Sequence, residues 1–280
     1  MNRRYLILDC NYLCHRAKYV FGDLSDKGSA TGVIYGFLKE LLYLRERFDS
    51  NRFVFCWDYG ENLRKKILPD YKGNREEQKH TKAERAFDKA FHLQMDKLRD
   101  EYLYTIGFRN VFYQDGYEAD DIIAIVCKNI TLDLEEGIIV TADQDLFQCI
   151  RSNIKWYDPK KKQLIGYGKF KKMWAGLKPK QYAKLLAIAG CKSDNVRGIY
   201  RVGPVAALSF IQKRSIPTTK ANIAIREGWK SVVLRNRRVV ELPFKGTKPV
   251  TFLQDKVTQE GWNEVTKKLG MKSIRFKRIV

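Results

Sequence analysis

Hydrophobic residues along the chain follow two alternating patterns. Short apolar runs with the length of a buried strand occur at residues 6–8, 53–57, 111–113 and 138–140. Longer segments place apolar residues three or four positions apart, the spacing of one helix face; these are residues 32–48, 83–104 and 119–130. Because strands that alternate with helices are typical of helices packed on a parallel sheet, the pattern predicts an α/β fold with a mostly parallel central sheet flanked by helices.

The pattern changes in the second half of the chain. From about residue 168 onward the strand signals fade, and helices are predicted at 179–190 and 204–213. The segments 232–234 and 239–242 are compatible with strands or with helix ends, and the sequence leaves both open. The last residues, 215–280, are basic and contain aromatic residues (Trp229, Phe244, Trp262 and Phe276) but carry no motif.

The turn between the two predicted helices has features of a phosphate-binding hairpin. Gly198 and Gly203 allow positive φ, and Pro204 suits the first position of the following helix. Free backbone amides at a helix start favour anions. We therefore expect a helix–turn–helix hairpin that grips duplex backbone without reading bases. A plain pair of antiparallel helices is the structural alternative.

Acidic residues follow the predicted strands. They stand directly after a strand, or open the helix that follows one: Asp9, Asp58, Glu118, Asp120, Asp121, Asp143 and Asp145. The carboxyl ends of parallel strands share one edge of a sheet, so these side chains should meet in one cleft. Clustered carboxylates repel one another unless cations lie between them. Two hard cations roughly 4 Å apart would explain the cluster and would serve phosphodiester hydrolysis. Each acid taken singly is also compatible with a turn, a helix cap or a dipole partner.

The charge balance points to a polyanionic partner. The net charge is +21, from 53 basic and 32 acidic residues. Nucleic acid is the first expectation, ahead of an anionic membrane surface and of a merely basic soluble protein. No apolar run is long enough to span a membrane, so no membrane association is expected. The N-terminal residues 1–9 read as a first strand and not as a signal peptide, because Asp9 interrupts the apolar run.

The cysteines and histidines limit the metal chemistry. The six cysteines, none in a C-x-x-C pair, indicate a reducing, cytoplasmic compartment; they are Cys10, Cys14, Cys56, Cys127, Cys149 and Cys191. The three histidines have no zinc-site spacing with them. Oxygen ligands, and therefore Mg²⁺ or Mn²⁺, are expected.

Residues 61–100 form a long insertion dense in both charge signs. Lys72 and Arg75 are three positions apart, and beside an acidic cleft they could stabilise charge on the scissile phosphate. Tyr71 could stack on a base. A solvated charged helix is the structural alternative, but a connector of some forty residues favours a binding element.

These motifs together resemble those of the flap endonuclease and 5′–3′ exonuclease family, including its phage-type members and the 5′ nuclease domain of bacterial DNA polymerase I. The resemblance covers roughly residues 1–214. Its elements, in chain order, are Asp9–Asn11 (similar to D-G-N), Ala30–Phe37 (similar to P-T-G-x-x-x-G-F), Tyr71–Arg75 (Y-K-x-x-R), Glu118–Asp121 (E-A-D-D), Thr141–Asp145 (similar to T-G-D-x-D) and Ser193–Asn195 with the 198–204 turn (S-D-N). Any one motif is weak, but several in order are specific.

The resemblance implies a PIN-like catalytic domain at 1–167 with a helical arch at 61–100, and a helical DNA-binding region at 168–280 with a helix–three-turn–helix at 179–214. It implies a first metal site of Asp9, Asp58, Glu118 and Asp120, and a second of Asp143, Asp145 and Asp194, with Asp121 beside or between them. It places Lys72 and Arg75 in the arch on the scissile phosphate, and Arg16 on phosphate near the cleft. Gly198, Arg201, Val202, Gly203 and Pro204 would contact DNA or hold a monovalent cation, usually K⁺.

The implied activity is two-metal hydrolysis of DNA flaps or RNA primers in replication or repair, by a metal-dependent 5′–3′ exodeoxyribonuclease. The implied partners are branched or 5′-ended DNA and RNA–DNA hybrids. A monomer in phage-infected or bacterial cytoplasm is expected, and replication proteins as partners are left open.

Two residues depart from the family pattern. Cys10 stands where the family has Gly, which could tighten the approach of DNA to Asp9. Cys191 stands where the family has an Asp in G-D-x-S-D-N, and a thiol is a poor Mg²⁺ ligand. The substitution at 191 keeps a second hypothesis open, a module that holds branched DNA without cutting it. A third, an RNA-directed PIN nuclease, would lack the 198–204 hairpin.

Overall fold

The structure is a computed structural model that describes residues 3–73 and 81–275. Its strands are β1 (Arg3–Asp9), β2 (Ser25–Asp26), β3 (Ser29–Ala30), β4 (Arg52–Cys56), β5 (Val111–Phe112), β6 (Glu135–Val140), β7 (Ile154–Asp158), β8 (Gln163–Ile165), β9 (Gly190–Cys191) and β10 (Val196–Arg197). Its α-helices are α1 (Cys10–Phe21), α2 (Gly32–Phe48), α3 (Lys82–Lys97), α4 (Leu103–Ile106), α5 (Ala119–Asn129), α6 (Tyr167–Met173), α7 (Tyr182–Ala189), α8 (Pro204–Ile211), α9 (Lys220–Glu227), α10 (Leu234–Val240) and α11 (Gln259–Lys268).

The central sheet has the strand order β5-β4-β1-β6-β7-β8. β1 lies in the middle and pairs in parallel with β4 on one side and β6 on the other. Only β8 is antiparallel to its neighbour within this sheet. The predicted α/β architecture with a mostly parallel sheet is therefore confirmed. The strands β7 and β8 were not predicted, because Lys155 breaks the apolar run of β7 and β8 has only three residues.

Side chains of β1 alternate between two hydrophobic clusters. Leu6 and Leu8 pack on the face covered by α1, α2 and α11, whereas Tyr5 and Ile7 pack on the face covered by α5 and the later helices. Because both faces are covered, the strand reads as a continuous apolar run. This arrangement fixes the direction in which Asp9 leaves the sheet.

Both clusters combine residues from either side of residue 167. Phe147 packs against Phe170 and Tyr182, with ring centroids 5.6 Å apart in each case. Trp262 of α11 is fully buried in the cluster on the α1 face. Among the described residues, both hydrophobic clusters therefore extend across the expected domain boundary at 167/168.

The predicted helices differ from the structure in detail. Residues 32–48 and 119–130 correspond to α2 and α5, but the 83–104 pattern is α3 followed by a π-helical turn at Leu98–Tyr102 and then α4. The open segments 232–234 and 239–242 are mostly helical, in a π-turn at Trp229–Val233 and in α10. No helix in the described ranges has the length and apolar character needed to cross a bilayer.

Candidate active site

Three neighbouring strands deliver carboxylates to one edge of the sheet. Asp9 is the last residue of β1, and Asp58 follows the end of β4. Thr141, directly after β6, donates from Oγ1 to Asp9 Oδ2 at 2.8 Å. The strand order reverses between β1 and β6, where a crevice opens in sheets of this type.

The start of α5 lies beside these strand ends. Asp58 Oδ1 accepts from the backbone N–H of Ala119 at 2.6 Å, which ties the exposed Asp58 to the helix N-terminus. Glu118 is the N-cap of α5 and is 8% exposed. Asp120, in the first turn, faces the same pocket, because its carboxylate interacts with those of Asp9 and Asp143.

The loops after β6 and around Asp194 close the pocket. Asp143 Oδ1 accepts from the backbone N–H of Asp145 at 2.8 Å, while Trp156 Nε1 donates to the Asp143 carbonyl at 2.8 Å. Buried Asp194 approaches from the second half of the chain. The acidic pocket is therefore formed by Asp9, Asp58, Glu118, Asp120, Asp143, Asp145 and Asp194.

Electrostatics show that these acids act on one another. Burial, and then the neighbouring Asp58, raise the pKa of Asp9 to about 7. Burial, followed by Asp143 and Asp194, raises the pKa of Asp145 to about 8. Burial and the charges of Asp143 and Asp9 hold the pKa of Asp120 well above its ordinary value. The predicted convergence of distant acids in one cleft is confirmed, and their role as metal ligands stays a prediction.

Lys72 places a cation inside the pocket. Its ammonium contacts Glu118 Oε1 and lies 3.9 Å from Asp194 Oδ1. Its backbone is left-handed, with φ of 56°, and its N–H donates to the Asp194 carbonyl at 3.0 Å. Burial alone would raise the pKa of Glu118, but Lys72 and Arg64 together hold it below its ordinary value.

The structure changes one predicted role in the Tyr71–Arg75 motif. Tyr71 was expected to stack on a base, which is wrong here because its ring is only 3% exposed. Its hydroxyl donates to Glu118 Oε2 at 2.9 Å and lies 3.0 Å from Asp194 Oδ2, so it braces the two acids. Arg75 lies outside the described residues.

The placement of Asp121 contradicts its assignment to the metal site. Asp121 has no solvent exposure, and its two carboxylate oxygens accept from the guanidinium of Arg64 at 2.7 Å each. Asp121 also accepts from the backbone N–H groups of Glu118 and Phe244. Its oxygens are thus occupied on the far side of α5, where they support the N-cap residue Glu118.

Cys191 lies against the pocket, where an acid was expected. Its Sγ is 3.6 Å from Asp145 Oδ2 and 2.9 Å from Ser193 Oγ. Ligand atoms of Asp145, Cys191 and Asp194 all lie within 4.8 Å of one another. Burial and the charge of Asp145 raise the pKa of the thiol to about 12.

The other departure, Cys10, has a different outcome. Its side chain is fully buried in the hydrophobic cluster with α1 and α2, and its Sγ lies 3.7 Å from the Leu8 carbonyl. The expectation that Cys10 tightens the approach of DNA to Asp9 is wrong, because the thiol points into the core.

The predicted hairpin is present between α7 and α8, with the short β9–β10 pair inside it. Gly198 and Gly203 would allow positive φ, but neither has it. A Cβ at Gly198 would meet the Ala189 carbonyl carbon at 2.3 Å, so the glycine allows close packing. Gly203 has φ of −88° and is the N-cap of α8, which Pro204 opens as predicted. The left-handed residue of the turn is Arg201, with φ of 58°.

The remaining residues of the hairpin differ in their solvent exposure. Arg201, Gly203 and Pro204 are exposed, whereas Val202 is 5% exposed and can offer a ligand only through its backbone. Tyr200 and Val205 beside them are 79% and 83% exposed. The tip of the hairpin is therefore accessible to a large partner.

Arg16 lies on α1, away from the pocket acids. Its Nη1 donates to Glu40 Oε2 on α2 at 2.6 Å, and its side chain is 34% exposed. The neighbouring Asn11 approaches the pocket more closely, since its Oδ1 accepts from the backbone N–H of Asp58 at 3.0 Å.

The sequence analysis missed three residues that organise the site. Arg64 is 1% exposed in a run of charged residues whose pattern predicts solvation. Thr141 holds Asp9; it begins the Thr141–Asp145 motif, but the sequence analysis gave it no role. Asn236, fully buried, donates to the carbonyls of Ala187 and Arg197 at 3.0 and 2.8 Å, and it stands in a segment without a motif.

Comparisons with known proteins identify the family of the chain. Residues 4–175 match the family model of the 5′-3′ exonuclease, N-terminal resolvase-like domain. The chain is 29% identical over 252 residues to the 5′-3′ exonuclease of Buchnera aphidicola (Schizaphis graminum), covering 89% of this chain and 83% of that protein. It is 28% identical over 258 residues to DNA polymerase I of Mycobacterium leprae, covering 85% of this chain and 27% of the polymerase.

The fold likewise has solved relatives. The bacteriophage T5 D15 flap endonuclease, crystallised in a pseudo-enzyme-product complex with DNA and metal ions, superposes with a TM-score of 0.72 at 20% identity, covering 86% of this chain and 90% of that one. The family model spans more than half of the chain and includes six of the seven pocket acids. The chain therefore belongs to the 5′-3′ exonuclease family.

Proposed function

We propose that this protein is a structure-specific 5′ nuclease that hydrolyses phosphodiesters in DNA flaps or RNA primers with two or more divalent metal ions. The observation that carries the proposal is the acidic pocket itself. Burial and mutual repulsion raise the pKa of Asp9 to about 7 and that of Asp145 to about 8. Such an arrangement is unfavourable unless cations are bound.

The donor set fits Mg²⁺ or Mn²⁺ on one side of the pocket. Asp9, Asp58, Glu118 and Asp120 offer only carboxylate oxygens, the ligands that hard cations prefer. Asp143, Asp145 and Asp194 would hold a second ion, with the thiol of Cys191 beside them. Bound divalent ions supply Lewis-acid chemistry, which lowers the pKa of water and neutralises charge on the phosphodiester.

The protein's own groups position the reacting parts. Tyr71 and Thr141 orient Glu118, Asp194 and Asp9 through hydrogen bonds. Lys72, with its ammonium at the pocket, can donate to a phosphate oxygen and stabilise charge that grows in the transition state. Arg75 would act with Lys72 from the segment outside the described residues.

The hairpin supplies the second part of the proposal. Exposed backbone at the start of α8 and the basic side chain of Arg201 would hold the phosphates of duplex DNA or of an RNA–DNA hybrid. Backbone carbonyls of Gly198, Arg201 and Val202 would hold K⁺ there. We propose that the protein works as a monomer in the cytoplasm; the net charge of +21 supports the nucleic-acid partner.

A cleavage assay with 5′-labelled flap DNA tests the proposal. The wild type should release 5′ fragments with Mg²⁺ and none with EDTA, whereas Asp143→Asn should cut at least about a hundredfold more slowly and still bind the DNA. Asp133→Asn, which removes an exposed acid from a surface loop, should cut at the wild-type rate. DNA that shifts in a gel but stays intact with the wild type would favour the non-cutting binding module.

A further inference from the structure

The backbone around Cys191 is held rigidly against the pocket. Cys191 ends β9 and pairs with Val196 of β10. The preceding Gly190 has φ of 85°, and a Cβ there would meet the Gly198 backbone nitrogen and the Val196 carbonyl oxygen at 2.6 Å. Close backbone packing thus places Cys191 beside the pocket, with the residue only 7% exposed.

The distance from this thiol to one oxygen of Asp145 equals that between two ligands of a tetrahedral metal site. With a zinc–sulfur bond of about 2.3 Å and a zinc–oxygen bond of about 2.1 Å, tetrahedral ligands stand about 3.6 Å apart. The observed distance from Cys191 Sγ to Asp145 Oδ2 is 3.6 Å. A tetrahedral ion such as Zn²⁺ could therefore bind both the Cys191 thiolate and the Asp145 carboxylate without a change in their spacing.

The chemistry of the donors leads to the same choice of ion. A thiolate is a soft ligand that suits Zn²⁺ and similar ions, while Mg²⁺ gives up its water reluctantly and prefers oxygen. When the sulfur–metal bond forms, the thiol proton leaves to solvent. The site then contains one thiolate and two carboxylates, which a divalent cation partly neutralises.

We propose that Cys191, Asp145 and Asp194 form a mixed sulfur–oxygen site that binds a borderline-soft divalent cation, such as Zn²⁺ or Co²⁺, in preference to Mg²⁺. The proposal rests on the proposed function in one respect, namely that Asp145 and Asp194 are metal ligands. Its consequence is a nuclease with two unlike metal positions, one selective for hard ions and one for thiophilic ions.

Titration of the metal-free, full-length protein with Co²⁺ tests the site without any cleavage reaction. Binding through a thiolate gives a sulfur-to-cobalt charge-transfer absorption, which we expect in the wild type at one equivalent. Cys191→Ser should lose this band and bind Co²⁺ at least about tenfold more weakly, since loss of even an outer partner of a ligand costs about that much. Cys149→Ser removes the half-buried thiol and should keep the band.

A second pair of measurements guards against misfolding of the serine variant. In the wild type, Zn²⁺ should slow alkylation of Cys191 but not of Cys149, as followed by peptide mass spectrometry. Cys191→Asp should abolish the band and raise the affinity for Mg²⁺ relative to Co²⁺ by about tenfold or more. The proposal would be overturned if the charge-transfer band persisted in Cys191→Ser or if Zn²⁺ did not slow alkylation of Cys191.

These outcomes are separate from the test of the nuclease itself. If the wild type shows the band but cuts no flap DNA, the proposed function fails and the mixed site stands. If the wild type cuts with Mg²⁺ and shows no band, the mixed site fails and the proposed function stands.

Discussion

Arg64 and Asp121 form a bidentate ion pair, with both nitrogen–oxygen distances at 2.7 Å and both side chains almost fully buried. Arg64 also lies 3.2 Å from Glu118 Oε2 and donates from Nε to the Val239 carbonyl at 2.8 Å. The pair thus connects a pocket acid to the C-terminal part of the chain, so Asp121 should contribute to stability and not to metal binding.

Asn substitutions at Asp121 and Asp143 should separate these two roles. Asp121→Asn removes the bidentate charge partner of buried Arg64 and leaves it only Glu118, and breaking a buried ion pair costs about 3–5 kcal/mol. At about 2–4 °C per kcal/mol, its melting temperature should fall by roughly 10 °C, both with EDTA and with Mg²⁺. Asp143→Asn relieves repulsion, so its melting temperature with EDTA should match or exceed the wild type. Its stabilisation by Mg²⁺ should be lost.

Thermal unfolding with and without Mg²⁺ checks both variants. An Asp121→Asn protein that melts normally in EDTA but gains nothing from Mg²⁺ would show that Asp121 is a ligand after all.

Removal of the Lys72 charge should have opposite effects on binding and turnover. The ammonium at Glu118, 3.9 Å from Asp194, repels a divalent ion in the same pocket. Lys72→Met should therefore bind Mn²⁺ several-fold more tightly and cut flap DNA at least about a hundredfold more slowly. Mn²⁺ affinity can be followed by calorimetry and cleavage in single-turnover assays, with the exposed Lys89→Met as the control. Weaker Mn²⁺ binding in Lys72→Met would show that the Lys72 ammonium does not repel the bound ion.

The raised acid pKa values predict how pH affects the metal-free protein. Asp9 and Asp145 hold protons in the folded state up to about pH 7 and about pH 8, whereas in the unfolded chain they lose them near their ordinary values. The unfolded state therefore binds fewer protons in this window, and stability falls as pH rises from about 4 to about 8. Divalent ions displace these protons, so Mn²⁺ affinity should rise with pH over the upper part of this range.

Melting temperatures in EDTA and calorimetry in buffers of different ionisation enthalpy measure the two effects. Asp145→Asn should flatten the stability curve near pH 8. Mn²⁺ binding without proton release would show that the acids are already ionised in the metal-free pocket.

Two glycines of the hairpin differ in the space that surrounds them. A Cβ at Gly198 would stand 2.3 Å from the Ala189 carbonyl carbon, whereas Gly203 has nothing within 4 Å. Gly198→Ala should cost about 3 kcal/mol, because backbone on the other side cannot easily yield. Gly203→Ser, at the N-cap of α8, should change stability by no more than about 0.5 kcal/mol. Urea unfolding measures both, and equal stabilities would refute the close contact at Gly198.

The sequence predicted the pocket acids near the strand ends because one rule sufficed, whereas Asp194 came from the family resemblance. Asp9 ends a parallel strand and Asp58 and Asp143 follow two others, and the edge that they share follows from the strand direction alone. Their distance along the chain therefore did not matter.

Side-chain direction was predicted less well. Asp120 and Asp121 are consecutive on a helix and point about 100° apart, so the helical period alone did not decide which of them faces the pocket. The direction of Asp121 depends on Arg64, which lies in a short 3₁₀ helix (Leu63–Lys66) whose charge pattern indicates solvent. The buried position of Tyr71 likewise depends on contact between segments over a hundred residues apart, which local sequence does not encode.

Residues 253–258, which we call the strap, limit how far the polypeptide can be shortened. Leu253 exchanges two hydrogen bonds with the side chain of Asn110, and the N–H groups of Lys256 and Thr258 donate to the carbonyls of Gly107 and Ile106. A fragment that ends near residue 175, the limit of the family match, would lose this strap and Trp262 and would leave the Arg64 side chain without the Val239 carbonyl. We therefore expect a stable fragment of this polypeptide to include residues up to at least Trp262.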